Sequence, residues 1–158
     1  MNEPNTPATD NPLHHVFEEV CRYDRIYRHP ALRRLKVSGL YALLPEQPSQ
    51  FAVQYSWPEG WPNDLQPGVY LIFDGSMKLL YVGRAHVIGA RLFDYFGYTP
   101  DKRGCRIKDT SGKSEARYLA TVPVERTFEA GALEEYLIGR LNPEKNASTF
   151  GRDDPLTW

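Results

Sequence analysis

The sequence predicts an α+β fold: a small, mainly antiparallel, three-stranded sheet flanked by helices, preceded by a helical and irregular N-terminal extension. Three observations predict it. Two runs rich in β-branched and aromatic residues, 69–73 and 78–82, are separated by Asp74-Gly75-Ser76, and an Asp-Gly pair between such runs is a strong signal for an antiparallel hairpin. A third run of the same kind covers 116–122. Segments 85–96 and 128–141 carry apolar residues at helical spacing, so the order is β-β-α-β-α, which buries its apolar faces by stacking helices on a sheet.

The elements follow in chain order. Pro4, Pro7 and Pro12, mixed with Asn, Thr and Asp, make residues 1–12 a disordered tail. Val16, Val20, Tyr23 and Tyr27 recur every three or four residues and place a helix over 13–28; Pro30 stops it and opens a second helical turn over 31–36. Gly39 and the series Pro45, Pro48, Pro58 and Pro62 enforce an irregular connection, which Trp57 and Trp61 pin to the body by burying their rings. Nine of the thirteen prolines precede Gly68, which separates an extension, 13–66, from a more regular domain, 67–150, with a short tail over 151–158. After the hairpin, Val87, Ala90, Leu92, Phe93 and Phe96 give the helix over 85–96 its apolar face, with Gly89 weakening it. Residues 97–115 are polar, basic and too long for a simple connector, so they read as a functional or disordered loop. Thr127 is placed to cap the last helix, Ala132, Leu133, Tyr136, Leu137 and Leu141 face its core, and Pro143 ends it.

Composition excludes several functions. At 158 residues and 18.1 kDa the chain suits one domain of about 150 residues. Hydrophobic residues at 41% and charged residues at 25% describe an ordinary globule. A net charge of -1 rules out a whole-protein cationic field, so an anionic partner must be held by a local patch. Two cysteines, Cys21 and Cys105, cannot build a disulfide framework, and the histidines show no zinc-ligand spacing with them. No window approaches the ~20 apolar residues that span a bilayer, so a cytoplasmic protein without a membrane partner is expected.

The residues able to do chemistry lie after Pro67. Tyr70 and Tyr81 stand on the two hairpin strands, where antiparallel pairing can bring them together on one face. Arg91 and Tyr95 are four apart and share a helix face. Glu134 lies beside the apolar seam of the last helix, flanked at four-residue spacing by Ala130 and Ile138. Gly68 and Gly83, taken singly, read as strand-edge turns. Cations concentrate in two stretches. Residues 84–117 hold eight Lys/Arg against four Asp/Glu, and 22–36 hold six against one. Such clusters are the footprint of contact with a nucleic-acid backbone.

In order, PGVYLIFDGSMKLLYVGRAHVIGARLFDYFG and EAGALEEYLIGRLNPEKN resemble the GIY-YIG endonuclease family. Gly68-Val69-Tyr70 matches the first family tripeptide and Tyr81-Val82-Gly83 the second. The family arginine falls on Arg91, the aromatic or histidine one turn later on Tyr95, the helix carboxylate on Glu134, and the asparagine after the helix-ending proline on Asn146. Within the family, Tyr95 together with the final P-x-x-N is most similar to the N-terminal nuclease module of the bacterial excision-repair incision subunit. The resemblance covers about half of the chain and leaves the first 66 residues unexplained.

The resemblance implies a GIY-YIG-type endonuclease, a metal-dependent hydrolase that cuts DNA phosphodiester bonds at a single site. It implies Tyr70 as general base with Tyr81 assisting, its phenol lowered by nearby cations, Arg84 among them. Arg91 would serve as the phosphate-binding fork, Tyr95 as an orienting group and Asn146 as a support for Glu134 or a neighbouring loop. Glu134 would be the ligand of one Mg²⁺ or Mn²⁺ ion, a hard oxygen donor for a hard cation. Arg84, Lys102, Arg103, Arg106 and Lys108 are the expected nucleic-acid contacts. A toxin or defence nuclease acting on DNA or RNA, and a non-catalytic nucleic-acid-binding module, are the alternatives. Residues 13–66 offer a surface for a homodimer, an inhibitor or an accessory protein. No second nuclease domain or helix-hairpin-helix unit is visible in the sequence.

Overall fold

The computed structural model describes residues 13–146; the expected tails over 1–12 and 151–158 lie outside the described residues. Its elements are α1 (His14–Tyr27), β1 (Tyr41–Ala42), β2 (Tyr55–Ser56), β3 (Gly68–Phe73), β4 (Leu79–Ala85), α2 (Ile88–Tyr95), β5 (Phe96–Tyr98), β6 (Cys105–Ile107), β7 (Tyr118–Pro123) and α3 (Thr127–Leu141). The main sheet has five strands in the order β2-β1-β7-β3-β4, not three. The three expected strands are its β7-β3-β4 half, antiparallel throughout. The other two come from the extension: β1 pairs antiparallel with β7 and parallel with β2.

Strand periodicity sorts the core into two layers. Val69, Leu71, Phe73, Val82, Ala120 and Val122 face α1 and α3, meeting Val16, Val20, Tyr23, Leu133 and Leu137. Tyr70, Ile72, Leu80 and Leu119 face the opposite way, against Ile88 and Leu92 of α2, Phe96, Tyr41 and Trp57. Every residue of β3 is buried, as a strand covered on both faces requires. Strand β4 is an edge. Its outer backbone is partly occupied by the segment after α3, where the amides of Glu144 and Lys145 donate to the carbonyls of Leu79 and Leu80 at 3.3 and 2.8 Å.

Several local expectations are corrected. Residues 30–32 form only a turn. The expected β3–β4 hairpin forms, with Met77 as the left-handed residue of its turn, φ 64°, and the Asp74 carboxylate accepting the Ser76 and Lys78 amides at 2.8 and 2.9 Å. Helix α2 starts at Ile88, since residues through Ala85 remain paired in β4 with Gly68. The expected 97–115 loop contains the β5–β6 hairpin, closed by Thr99 and Gly104 backbone bonding and a positive φ at Lys102. Thr127 makes no cap: Arg126 is the N-cap, and no side chain bonds the helix start. Ala132 and Tyr27 are exposed. The end of α3 follows expectation, with Asn142 left-handed just before Pro143. Trp57 is buried and Trp61 half-buried, its ring tilted against Tyr41 with centroids 4.9 Å apart.

Buried ion pairs lock α1 onto α3. Arg28 donates through Nη1 to Asp24 Oδ1 at 2.7 Å and through Nε to the Glu129 carboxylate, with its side chain 3% exposed. Further along, Glu19 accepts from Tyr136 Oη at 2.8 Å and from Arg140 at 3.0 and 3.1 Å. Removing one partner of a buried pair strands the other charge. Arg28→Met is therefore expected to lower unfolding free energy by about 3–5 kcal/mol, measured by urea denaturation; a loss below about 1 kcal/mol would place the pair with ordinary surface bridges.

Candidate active site

The site is assembled around edge strand β4. Tyr70 of β3 lies opposite Gly83 of β4, and Ile72 lies opposite Tyr81, so both tyrosines face the α2 layer. Their rings stack with centroids 6.1 Å apart. From the end of α2, Tyr95 meets Tyr70 edge-on, and the two hydroxyls are hydrogen-bonded at 2.8 Å. Tyr70 is 2% exposed, whereas Tyr81 and Tyr95 are half-buried and Arg91 is exposed.

Electrostatics correct one expectation. Burial pushes the Tyr70 phenol far above its ordinary value, with the bond to Tyr95 adding to the rise; Arg91 opposes it without prevailing. Tyr81 is likewise raised, chiefly by burial, and Arg91 again pulls the other way. Tyr70 thus stands as a neutral phenol, not as one lowered by its cations.

Glu134 enters from the other layer. Helix α3 covers the face of β4 that bears Val82 and Arg84, and Arg84 Nε stands 3.4 Å from Glu134 Oε2. The Glu134 side chain is 19% exposed. Burial lifts its carboxyl above the ordinary value, and Arg84 draws it back. Its charge also reaches across the strand, helping to raise Tyr81. The phenols thus lie on the α2 side of β4 and the Arg84–Glu134 pair on its α3 side, both along one sheet edge. Among the described residues no group of three or more His, Cys, Asp or Glu could form a metal cage. What the site offers a cation is one partly desolvated carboxylate oxygen donor, which fits Mg²⁺, an ion that keeps several waters when bound.

Asn146 does not support Glu134. It is 4% exposed, and its amide is spent on one residue of β4: Nδ2 donates to the Val82 carbonyl and Oδ1 accepts from the Val82 amide, both at 2.8 Å. The side chain thus imitates a neighbouring strand between Tyr81 and Gly83. Lys102, Arg103, Arg106 and Lys108 are exposed on or beside the β5–β6 hairpin, which continues directly from Tyr95. Lys108 places its Nζ 4.1 Å over the Phe93 ring. Lys113 is a neighbour of the site that sequence reasoning missed; in a basic loop it is one lysine among several. It is 4% exposed and touches Tyr81 and Tyr95.

Two glycines are required by close approach. Gly83 is a seat inside a paired strand rather than a strand-edge turn: a Cβ there would overlap Tyr70 Oη and Cζ and lie 2.7 Å from Tyr81 Cε1. Gly131 of α3 leaves room for the Arg84 guanidinium, which a Cβ would strike at Nη1. Gly83→Ala must displace the Tyr70 ring and break its bond to Tyr95. It is expected to reduce activity by on the order of a hundredfold while thermal unfolding remains a single cooperative transition, checked by melting the variant beside wild type. Undiminished activity would show that the seat does not matter.

Residues 66–147 match the family model described as the UvrC-like GIY-YIG domain. The curated protein named UvrABC system protein C from Nautilia profundicola is 37% identical over 83 residues, 51% of this chain and 14% of that protein. The protein of the same name from Wolinella succinogenes is 40% identical over 86 residues, 51% of this chain and 14% of that protein. The chain thus spans about 14% of the length of these curated relatives. Among solved structures, the GIY-YIG N-terminal endonuclease domain of UvrC from Thermotoga maritima, bound to its catalytic divalent cation magnesium, is 28% identical. That alignment has a TM-score of 0.42 and covers 53% of this chain and 86% of that one. With the family model spanning more than half of its residues, the chain belongs to the UvrC-like GIY-YIG domain family.

Proposed function

We propose that this protein is a divalent-metal-dependent endonuclease that hydrolyses DNA phosphodiester bonds at one site formed by Tyr70, Tyr81, Arg91, Tyr95 and Glu134. The observation that carries the reading is the hydrogen-bonded phenol pair on the α2 side of β4, within reach of the Arg91 charge, with the partly desolvated Glu134 carboxylate on the α3 side of the same strand. Membership of the UvrC-like GIY-YIG domain family supports it.

Hydrolysis needs the phosphate's developing charge neutralised, a water deprotonated and a leaving oxygen stabilised. Arg91, exposed and permanently charged, offers a planar fork that matches two phosphate oxygens. Tyr70 starts protonated, so it accepts a proton from water only as it gives up its own. Its bond to Tyr95 supplies that exit: the Tyr70 proton passes to Tyr95 Oη, and the Tyr95 proton leaves to solvent from a half-buried position. Tyr81 packs against Tyr70 and holds its ring. Glu134 is the residue that would hold the cation, and Arg84 must yield part of its ion pair when it does. The cation, when bound, supplies neutralisation of the phosphate and activation of water. Arg84, Lys102, Arg103, Arg106 and Lys108 contact the DNA backbone, and their binding weakens as salt rises. Asn146 positions β4 and does not touch substrate.

Incubated with supercoiled plasmid and Mg²⁺, the protein should nick it, and chelator should stop the reaction. Glu134→Gln is expected to abolish nicking, and Tyr70→Phe to slow it by on the order of 10²–10⁴, read as loss of the supercoiled band. Metal-dependent nicking that survives Glu134→Gln would overturn the assignment. DNA binding without turnover under any divalent ion would favour a binding module.

The raised Glu134 carboxyl makes a second prediction. Protons compete with the cation for this group, so at subsaturating Mg²⁺ the acid side of the pH–rate profile should lie above the ordinary glutamate range. Arg84 lowers Glu134, so Arg84→Met should move that side to still higher pH. An unmoved profile would detach the acid limb from Glu134.

A further inference from the structure

Lys113 is a buried charge beside the site that the mechanism above leaves unused. Its side chain is 6% exposed, in the turn-rich stretch between β6 and β7. Two of its three ammonium donors are accounted for: the Asp109 carboxylate at 3.3 Å and the Ser111 carbonyl at 3.1 Å. The remaining direction meets aromatic faces, with Nζ 4.3 Å from the Tyr95 ring centroid and 4.6 Å from that of Tyr81. An ammonium within about 6 Å of a ring centroid is held by the ring's negative face, the more strongly when desolvated. A lysine is seldom buried without a reason to be charged there. Here the reason is two phenols from different elements, Tyr81 on β4 and Tyr95 on α2.

We propose that Lys113 is a positioning residue of the nuclease site: anchored by Asp109 and Ser111, it clamps the Tyr81 and Tyr95 rings and so fixes the hydroxyl of Tyr95 against that of Tyr70. The inference rests on the endonuclease reading for its catalytic consequence and on the geometry alone for the clamp. Three features support it. The anchor is itself held, since Asp109 Oδ1 accepts the Ser111 amide at 2.9 Å, a bond that together with Lys113 lowers its carboxyl from the ordinary value. The peptide start of the same loop is fastened to the site, with the amide of Lys108 donating to the Tyr95 carbonyl at 2.7 Å. The ammonium is too enclosed to meet a phosphate, which separates it from the exposed cations of the hairpin. The loop thus divides the work: Arg106 and Lys108 face solvent, and Lys113 faces the phenols.

The test compares Lys113→Met, which keeps the stem and removes the charge, with Lys113→Arg, which keeps a cation, and with Asp109→Asn, which loosens the anchor at a partly exposed site. Each is measured on the full chain for single-turnover nicking of supercoiled plasmid in Mg²⁺, for plasmid affinity in chelator and for thermal unfolding. Lys113→Met should lower the nicking rate by on the order of tenfold to a hundredfold, with plasmid affinity within about twofold. Lys113→Arg should restore most of the rate, and Asp109→Asn should lie between wild type and Lys113→Met. A Lys113→Met enzyme as fast as wild type, equal failure of Met and Arg, or a loss confined to affinity would each overturn the proposal. If Lys113→Met does not fold, wild-type rate in Asp109→Asn overturns it on its own. The clamp is also read without substrate or metal: the ε-methylene protons of Lys113, lying over two rings, should resonate upfield of those of the other lysines and return toward them in Asp109→Asn. Their absence from that position would overturn the clamp even in an active enzyme, whereas an inactive wild type with the shift present would defeat the nuclease reading and leave the clamp standing.

Discussion

The arrangement depends on the missing side chain at Gly83. A buried aromatic ring needs about the width of a side chain above a strand, and Tyr70 finds it because the residue paired with it has no Cβ. With the ring lying over β4, its hydroxyl reaches the Tyr95 hydroxyl, and its face meets Tyr81. Burial then keeps the phenol neutral, and in the proposed mechanism its proton leaves through a hydrogen-bonded neighbour. The glycine, the stack and the proton exit are one constraint seen at three levels: chain, packing and reactivity.

An edge strand is an uncertain platform for such a site, because one side of its backbone lacks a partner. Here that side is occupied by the segment after α3, which donates amides to Leu79 and Leu80 and then presents Asn146 to both polar groups of Val82. The same helix that carries Glu134 therefore ends by fixing the strand that carries Tyr81. Pairing of α1 with α3 through the buried Arg28 and through Glu19 with the more exposed Arg140 adds a second restraint on that helix from its outer side. Positions set by strands and packed helices hold catalytic groups more closely than mobile loops do.

What is legible in the sequence follows the strength of the local signals. The β3–β4 hairpin, β7 and α3 are read from runs long enough to show a period and from turn or stop residues at their ends, and the tyrosine pair follows from antiparallel geometry. Strands β1 and β2 escape notice because two residues show no alternation, and their pairing with β7 is decided by tertiary contacts. The β5–β6 hairpin hides in a polar stretch because its turn uses Thr99 and a left-handed Lys102 in place of an Asn-Gly or Asp-Gly pair. The role of Asn146 and the burial of Lys113 are products of the folded chain, since Asn146 bonds Val82 and Lys113 lies against Tyr81 and Tyr95, all more than ten residues away along the sequence. The meeting of two layers at one edge has the same origin: period and spacing place Glu134 on a helix, but only the sheet order makes β4 the strand where α3 and α2 come together.

The most direct examination of the central claim is a crystal structure of the protein with a DNA oligonucleotide and Mn²⁺, the ion located by its anomalous scattering. The account predicts one strong peak within coordination distance of a Glu134 carboxylate oxygen, with a single backbone phosphate held between that ion, the Arg91 guanidinium and the Tyr70–Tyr95 hydroxyl pair. An ion bound elsewhere, or a phosphate that touches Arg91 with Glu134 still closed on Arg84 and no metal between them, would contradict it.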